Sequence, residues 1–201
     1  MRKSDYLILN SFYFDFNNDL TKITNVKKLF KKQNILDLER FDKMKIIIKK
    51  KFFANENINF IYLPVSIEKI GECAFLDCRI QILDLSNCIN LKNIEHSVFY
   101  ENQIKYFKLP QTIEIIDNYS FNTNQIEILD LSNCINLKVI NENAFEKNPL
   151  NEIKILDNIN IEYYKYLKND LWTKFVIYYN DTDKKSGDYK LENNEWKWYP
   201  L

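Results

Sequence analysis

Residues 82–92 read ILDLSNCINLK, and residues 128–138 read ILDLSNCINLK again, 46 residues further on. Eleven identical letters at a fixed offset mark an internal repeat, and the period of such a repeat decides the architecture. Working outward from the two copies, one template laid on half that interval fits from residue 58 onward. It has apolar residues at positions 1, 4 and 6, then a polar corner, then further apolar anchors. The first turn has Ile58, Ile61 and Leu63, followed by Ile67, Ile70 and Ala74-Phe75. The second has Ile80, Leu83 and Leu85, then Cys88, Leu91, Ile94 and Val98-Phe99. The third has Ile104, Phe107 and Leu109, then Ile113, Ile116 and Phe121. The fourth has Ile126, Leu129 and Leu131, then Cys134, Leu137, Ile140 and Ala144-Phe145. A fifth opens with Leu150, Ile153 and Ile155 and then dissolves.

The sixth positions step by 22, 24, 22 and 24 residues, which explains why the perfect copy lies at 46. Odd turns carry a short corner, LPVSI or LPQTI; even turns carry the long corner LSNCINL. The pattern L-x-x-L-x-L-x-x-N/C at this period predicts a leucine-rich repeat solenoid, with a fold class between α/β and mainly β. Each L-x-L is a short strand, and the strands stack into a parallel β-sheet on the concave face. No single turn can bury its apolar side alone, so neighbours supply the core. Helical repeats would need 3.6-period runs of ten or more residues, and Asn and Pro interrupt every candidate run.

The stretches LPVSIEKIGECAF (63–75) and LPQTIEIIDNYSF (109–121), alternating with the two LSNCINL corners, resemble the BspA-type, or treponemal-type, leucine-rich repeat proteins. The likeness spans about 58–161, and the tail from Lys168, with its LWTKF and Trp-rich end, is similar to the ending of some members. The resemblance implies protein interaction and, in some members, adhesion at the cell surface.

Read from its residues, that tail divides in two. Tyr164, Leu167, Leu171, Phe175 and Tyr178 step by three or four, predicting an amphipathic helix over about 162–179. Tyr189 and Leu191 alternate into Asn193-Asn194, and Trp196 and Trp198 alternate out, predicting a hairpin over about 187–199. Together, residues 162–201 read as a cap on an open solenoid end. The three tryptophans, Trp172, Trp196 and Trp198, raise a carbohydrate platform as a second reading.

Residues 1–57 read as one or two degenerate turns with an N-terminal cap. Phe41, Ile48 and Phe52-Phe53 fall 22 residues before Leu63, Ile70 and Ala74-Phe75. The runs KKLFKK and KMKIIIKKKFF are alternatively short amphipathic pieces. Net charge over the chain is zero, yet residues 1–54 hold 13 Lys/Arg against 6 Asp/Glu. Such an excess is either a solvated face or a surface for an anionic partner, nucleic acid or membrane. The opening MRKSDYLILNSFYFDFNND has no clean signal peptide, and no stretch reaches the ~18–20 apolar residues that span a bilayer. A cytoplasmic location is therefore expected, with the cell surface implied only by the resemblance.

The chain has 27 Asn and 27 Ile, a bias that argues against treating each Asn as a site. Cys73, Cys78, Cys88 and Cys134 form no CxxC pair and meet a single histidine, His96, so no metal centre and no cofactor are expected. Cys88 and Cys134 occupy an interior corner slot and read as structural thiols. No GxSxG, Walker, HExxH or helix-turn-helix pattern is present, so the expectation is a non-enzymatic binding protein with a protein partner.

Strand alternation selects the surface for that partner, because positions 3 and 5 point away from the core. Position 3 reads Phe60, Ile82, Tyr106, Ile128 and Glu152; position 5 reads Tyr62, Asp84, Lys108, Asp130 and Lys154. The fifth-position column alternates in sign and is expected to pair along itself. The third is an apolar and aromatic stripe, read either as mutual shielding or as a docking surface.

Overall fold

The computed structural model describes residues 6–9, 30–32, 35–38, 45–48, 50–162 and 170–200. Two series of strands alternate along the chain. The concave series is β3 (Ile35–Asp37), β5 (Phe60–Tyr62), β7 (Ile82–Asp84), β9 (Tyr106–Lys108), β11 (Ile128–Asp130) and β13 (Glu152–Ile155). The convex series is β1 (Tyr6–Leu9), β4 (Lys45–Ile48), β6 (Ile67–Ile70), β8 (Asn93–Ile94), β10 (Ile115–Ile116), β12 (Val139–Ile140) and β14 (Asn160–Ile161). Within each series neighbouring strands pair in parallel, except that β6 and β8 on the convex side, and β9 and β11 on the concave side, share no pairing. The result is a mainly β, leucine-rich repeat solenoid. The ends differ, because β2 (Phe30–Lys32) pairs antiparallel with β3. At the other end β15 (Gly187–Glu192) and β16 (Glu195–Tyr199) add two antiparallel strands to β13.

The core follows the apolar template: positions 1, 4 and 6 are buried in every turn but one. Through its centre runs a column of rings, Phe53, Phe75, Phe99, Phe121 and Phe145. Their centroids lie 5.1, 5.6, 5.4 and 5.3 Å apart, and their planes are within 21° of parallel. Aromatic pairs of this kind contribute about 0.5–1.5 kcal/mol each beyond the area they bury. Phe52 closes the column edge-on at one end, and Trp172 does so at the other.

Around each spine ring the backbone reverses through two left-handed residues, two before and two after the Phe. The preceding column is Lys51, Cys73, Ser97, Tyr119 and Asn143, and the following one is Asn55, Asp77, Glu101, Thr123 and Lys147. None is glycine, although φ lies between 50° and 61° at all ten. These turns leave inward-facing amides, and a second buried column satisfies them. Asn102, Asn124 and Asn148 stand three residues after their spine Phe and are 5–7 % exposed. The Asn124 carboxamide accepts from Ile104 N–H at 2.9 Å and donates to the carbonyls of Phe99 and Phe121. Asn148 repeats this one turn on, accepting from Ile126 and donating to Phe121 and Phe145. Cys78 fills the same slot in the first turn, its thiol donating to the Phe53 carbonyl. Abundance of Asn hides this column in the sequence.

Ahead of residue 58, the strand Ile35–Asp37 places buried Leu38 in the sixth position, its N–H donating to the Tyr62 carbonyl at 2.9 Å. The sixth position is therefore Leu38 rather than Phe41, while Ile48 and Phe53 keep the 22-residue spacing, lying against Ile70 and Phe75. Phe41 itself lies outside the described residues. At the other end α1 (Leu171–Asp181) starts at Asp170, whose carboxylate accepts from Trp172 and Thr173 N–H and so caps the helix. The expected positions Tyr164 and Leu167 lie outside the described residues. Trp172, Phe175, Val176 and Tyr179 are buried against the last turn. The hairpin closes over them through Asn193 and Asn194, both with positive φ.

Replacing Asn124 with Ala strands one buried amide and two carbonyls, and is expected to cost about 2–3 kcal/mol in urea unfolding. Replacing exposed Asn133 with Ala is expected to stay within about 0.5 kcal/mol.

Candidate functional site

The concave strands are three or four residues long, so each presents side chains outward on either side of a fourth position that is buried in every turn but the third. Tyr62, Ile82, Tyr106 and Ile128 are 47, 48, 71 and 51 % exposed, and Phe60 is half-buried. Asp84, Lys108 and Asp130 are exposed beside them, while Glu152 and Lys154 are half-buried. All ten sequence-selected residues therefore share one face. Tyr62 and Tyr106 are separated by two turns, as are Ile82 and Ile128.

Charge on this face is arranged differently from the expected column. No ion pair joins Asp84 or Asp130 to Lys108 among the described residues. Each aspartate instead turns to its own corner: Asp84 accepts from the Ser86 N–H and hydroxyl at 2.9 and 2.6 Å. Asp130 does the same with Ser132 at 3.0 and 2.6 Å. Burial pushes the Asp84 carboxyl up, but the two Ser86 bonds and nearby Lys108 outweigh it and hold the group below its ordinary value. A carboxylate two residues before a serine closes an Asx turn more favourably than it reaches a flexible lysine on the next strand.

Toward the C-terminal end the face locks onto itself. Lys154 pairs with Glu152 at 3.2 Å, and hydrogen bonding to Glu152 raises its pKa. Lys190 pairs with Asp188, Lys197 with Glu192, and the Tyr199 hydroxyl donates to Glu192 at 2.6 Å. The apolar stripe of the first four turns thus meets a charge-paired patch at the fifth turn and hairpin. Sequence reading grouped Glu152 and Lys154 with the stripe because strand alternation alone cannot see the hairpin strand beside them.

Other chemistry does not assemble. Trp172 and Trp196 are 1 and 5 % exposed, and the Trp198 indole donates to the Ser186 carbonyl under the Lys185 ammonium. The tryptophans build the cap and leave no open platform. A cleft of about 330 Å³ beside Trp198, lined by Asp157, Lys184 and Pro200, is shallow and open. His96 packs edge-on to Tyr119 on the convex side, and its backbone carbonyl accepts from the Cys73 N–H at 3.0 Å. Among the described residues no group of His, Cys, Asp and Glu converges to hold a metal. No helix of the described residues is long and apolar enough to cross a membrane. The basic segment 22–51 falls largely outside the described residues.

Burial pushes the thiols of Cys78 and Cys88 up to about 12 and that of Cys134 to about 11. Since the thiolate is the nucleophile, these three are expected to resist iodoacetamide at pH 8 in the folded protein. They label fully in denaturant, as mass spectrometry of the alkylated peptides will show.

The family described as BspA type leucine rich repeat region matches residues 46–171, in six copies. No curated protein and no solved structure matches the chain.

Proposed function

The chain belongs to the BspA-type leucine-rich repeat family, and from that premise we propose that it binds a protein partner through the concave face of its first four turns. Leucine-rich repeat solenoids are in general interaction modules and not enzymes. The observation that carries the reading is the stripe of Tyr62, Ile82, Tyr106 and Ile128, each about half or more exposed on adjacent strands. Isolated exposed apolar residues are ordinary, whereas a contiguous set rimmed by charge marks an interaction surface. Tyrosines supply large, rigid contact area at low cost in side-chain entropy. Asp84, Lys108 and Asp130 rim the stripe with charges that hold no ion pair among the described residues, and a partner meets them there. Glu152 and Lys154, paired to each other, form its border.

A second reading places an anionic partner on the N-terminal segment, where 13 cations face 6 carboxylates. Its signature is a steep loss of binding with added salt, because phosphate contacts release counterions.

Capture from native lysate separates these. The Tyr106→Asp/Ile128→Asp variant is expected to lose the partners held by wild type while keeping its circular dichroism spectrum. The convex variant Asn93→Asp is expected to keep them. Equal capture by all three folded proteins rules out the concave reading.

A further inference from the structure

The 46-residue period reappears in the hydrogen bonds between turns. At the end of each concave strand the sixth-position N–H points to the next turn. Leu38 donates to the Tyr62 carbonyl at 2.9 Å, Leu85 to Lys108 at 2.9 Å, and Leu131 to Lys154 at 2.8 Å. All three bonds run into an odd turn. The sixth-position residues of the odd turns themselves, Leu63 and Leu109, make no such bond. Between the first and second turns only Phe60 and Ile82 are in register. Between the third and fourth, β9 and β11 belong to different sheets and share no pairing.

That last opening is confined to one side of the solenoid. On the convex side β10 and β12 pair, with Ile116 opposite Ile140. The turn amides of Phe121 and Thr123 donate to Ala144 and Glu146 at 2.9 and 3.0 Å. In the spine Phe121 and Phe145 stack at 5.3 Å with planes 1° apart. What differs is the fourth position. Ile61, Leu83, Leu129 and Ile153 are at most 5 % exposed there, but Phe107 is half-buried. Its ring reaches both Phe121 at 5.1 Å and Phe145 at 6.2 Å, so it leans across the joint. A phenyl ring in a slot sized for Leu or Ile wedges the strands apart.

We propose that the joint between the third and fourth turns is a hinge, pivoting on the convex pairing of β10 with β12 and on the Phe spine, and opening along the seam between β9 and β11. Its motion changes the separation of Tyr106 from Ile128, the two exposed residues on its lips. The hinge stands on backbone pairing and side-chain size alone, and holds whether or not the concave face binds a partner.

Amide exchange and relaxation-dispersion NMR of the isotopically labelled full chain test it directly. Leu109, and Glu127, which would pair across a closed seam, are expected to exchange about tenfold or more faster than their counterparts Leu85 and Lys105. Microsecond-to-millisecond broadening is expected at 106–109 and 126–130. In Phe107→Leu, where the side chain matches Leu83 and Leu129, the broadening disappears and Glu127 gains protection like that of Lys105, while Leu109 stays as open as Leu63, which makes no such bond either. Phe107→Ile serves as a second variant if the first loses its native spectrum. Protection of Leu109 and Glu127 equal to that of Leu85 and Lys105 in wild type overturns the hinge. So does broadening that persists in a folded variant.

Discussion

One contact sets the dimensions of this solenoid: a phenyl ring lying nearly flat on the ring of the next turn, four times over. Rings at 5.1–5.6 Å leave little room for adjustment, so strands, corners and turns on either side must adopt nearly the same rise. The convex and concave ladders, the two left-handed columns and the buried carboxamides all conform to it. Where a second ring, Phe107, enters the same layer, the concave ladder gives way and the spine does not. Stacked aromatic packing with no cavity to collapse into is stiffer than a pair of hydrogen bonds at a sheet edge.

Much of this was legible before any coordinates. The apolar template named the core turn by turn, since positions 1, 4 and 6 of a strand and the Ile and Phe of the return segment have no other place to go. The ten outward residues followed from alternation alone. The Asn102, Asn124 and Asn148 column escaped notice because 27 asparagines make any one of them unremarked. A signal existed nonetheless, an Asn three residues after Phe in three consecutive turns. The left-handed positions left no trace, because residues as different as Lys, Tyr and Glu occupy them. The pairing of Asp84 and Asp130 with their own serines, rather than with Lys108, was a contest between local and cross-strand geometry that spacing cannot decide. The seam at Phe107 was written only as one oversized letter in a column of Leu and Ile.

The candidate surface is defined as much by its border as by its centre. Strands of the first four turns expose rings and isoleucines. From the fifth turn through the hairpin, lysines and carboxylates within a strand and between the hairpin strands neutralise one another. A pairing patch of that kind has little left to offer a ligand, and its exposed pairs contribute little stability. Its service is to end the sheet in charge, which discourages another edge from adding on. The same cap buries Trp172 and Trp196, so aromatic residues that stand out in the sequence are consumed by closure rather than by recognition.

The alternation of corners carries a consequence for how such an array changes length. Asn90 of a long corner donates to the Val65 carbonyl of the short corner before it, and Asn136 does the same to Gln111. In the other direction Thr112 of a short corner donates to the Leu91 carbonyl of the long corner before it. Long and short corners are thus mates, each shaped to the other. Adding or deleting 46 residues keeps every corner beside its mate, whereas adding or deleting one turn sets two of a kind face to face. Copy number in such a solenoid is therefore expected to change in twos, with the pair of turns rather than the single turn as the unit gained or lost.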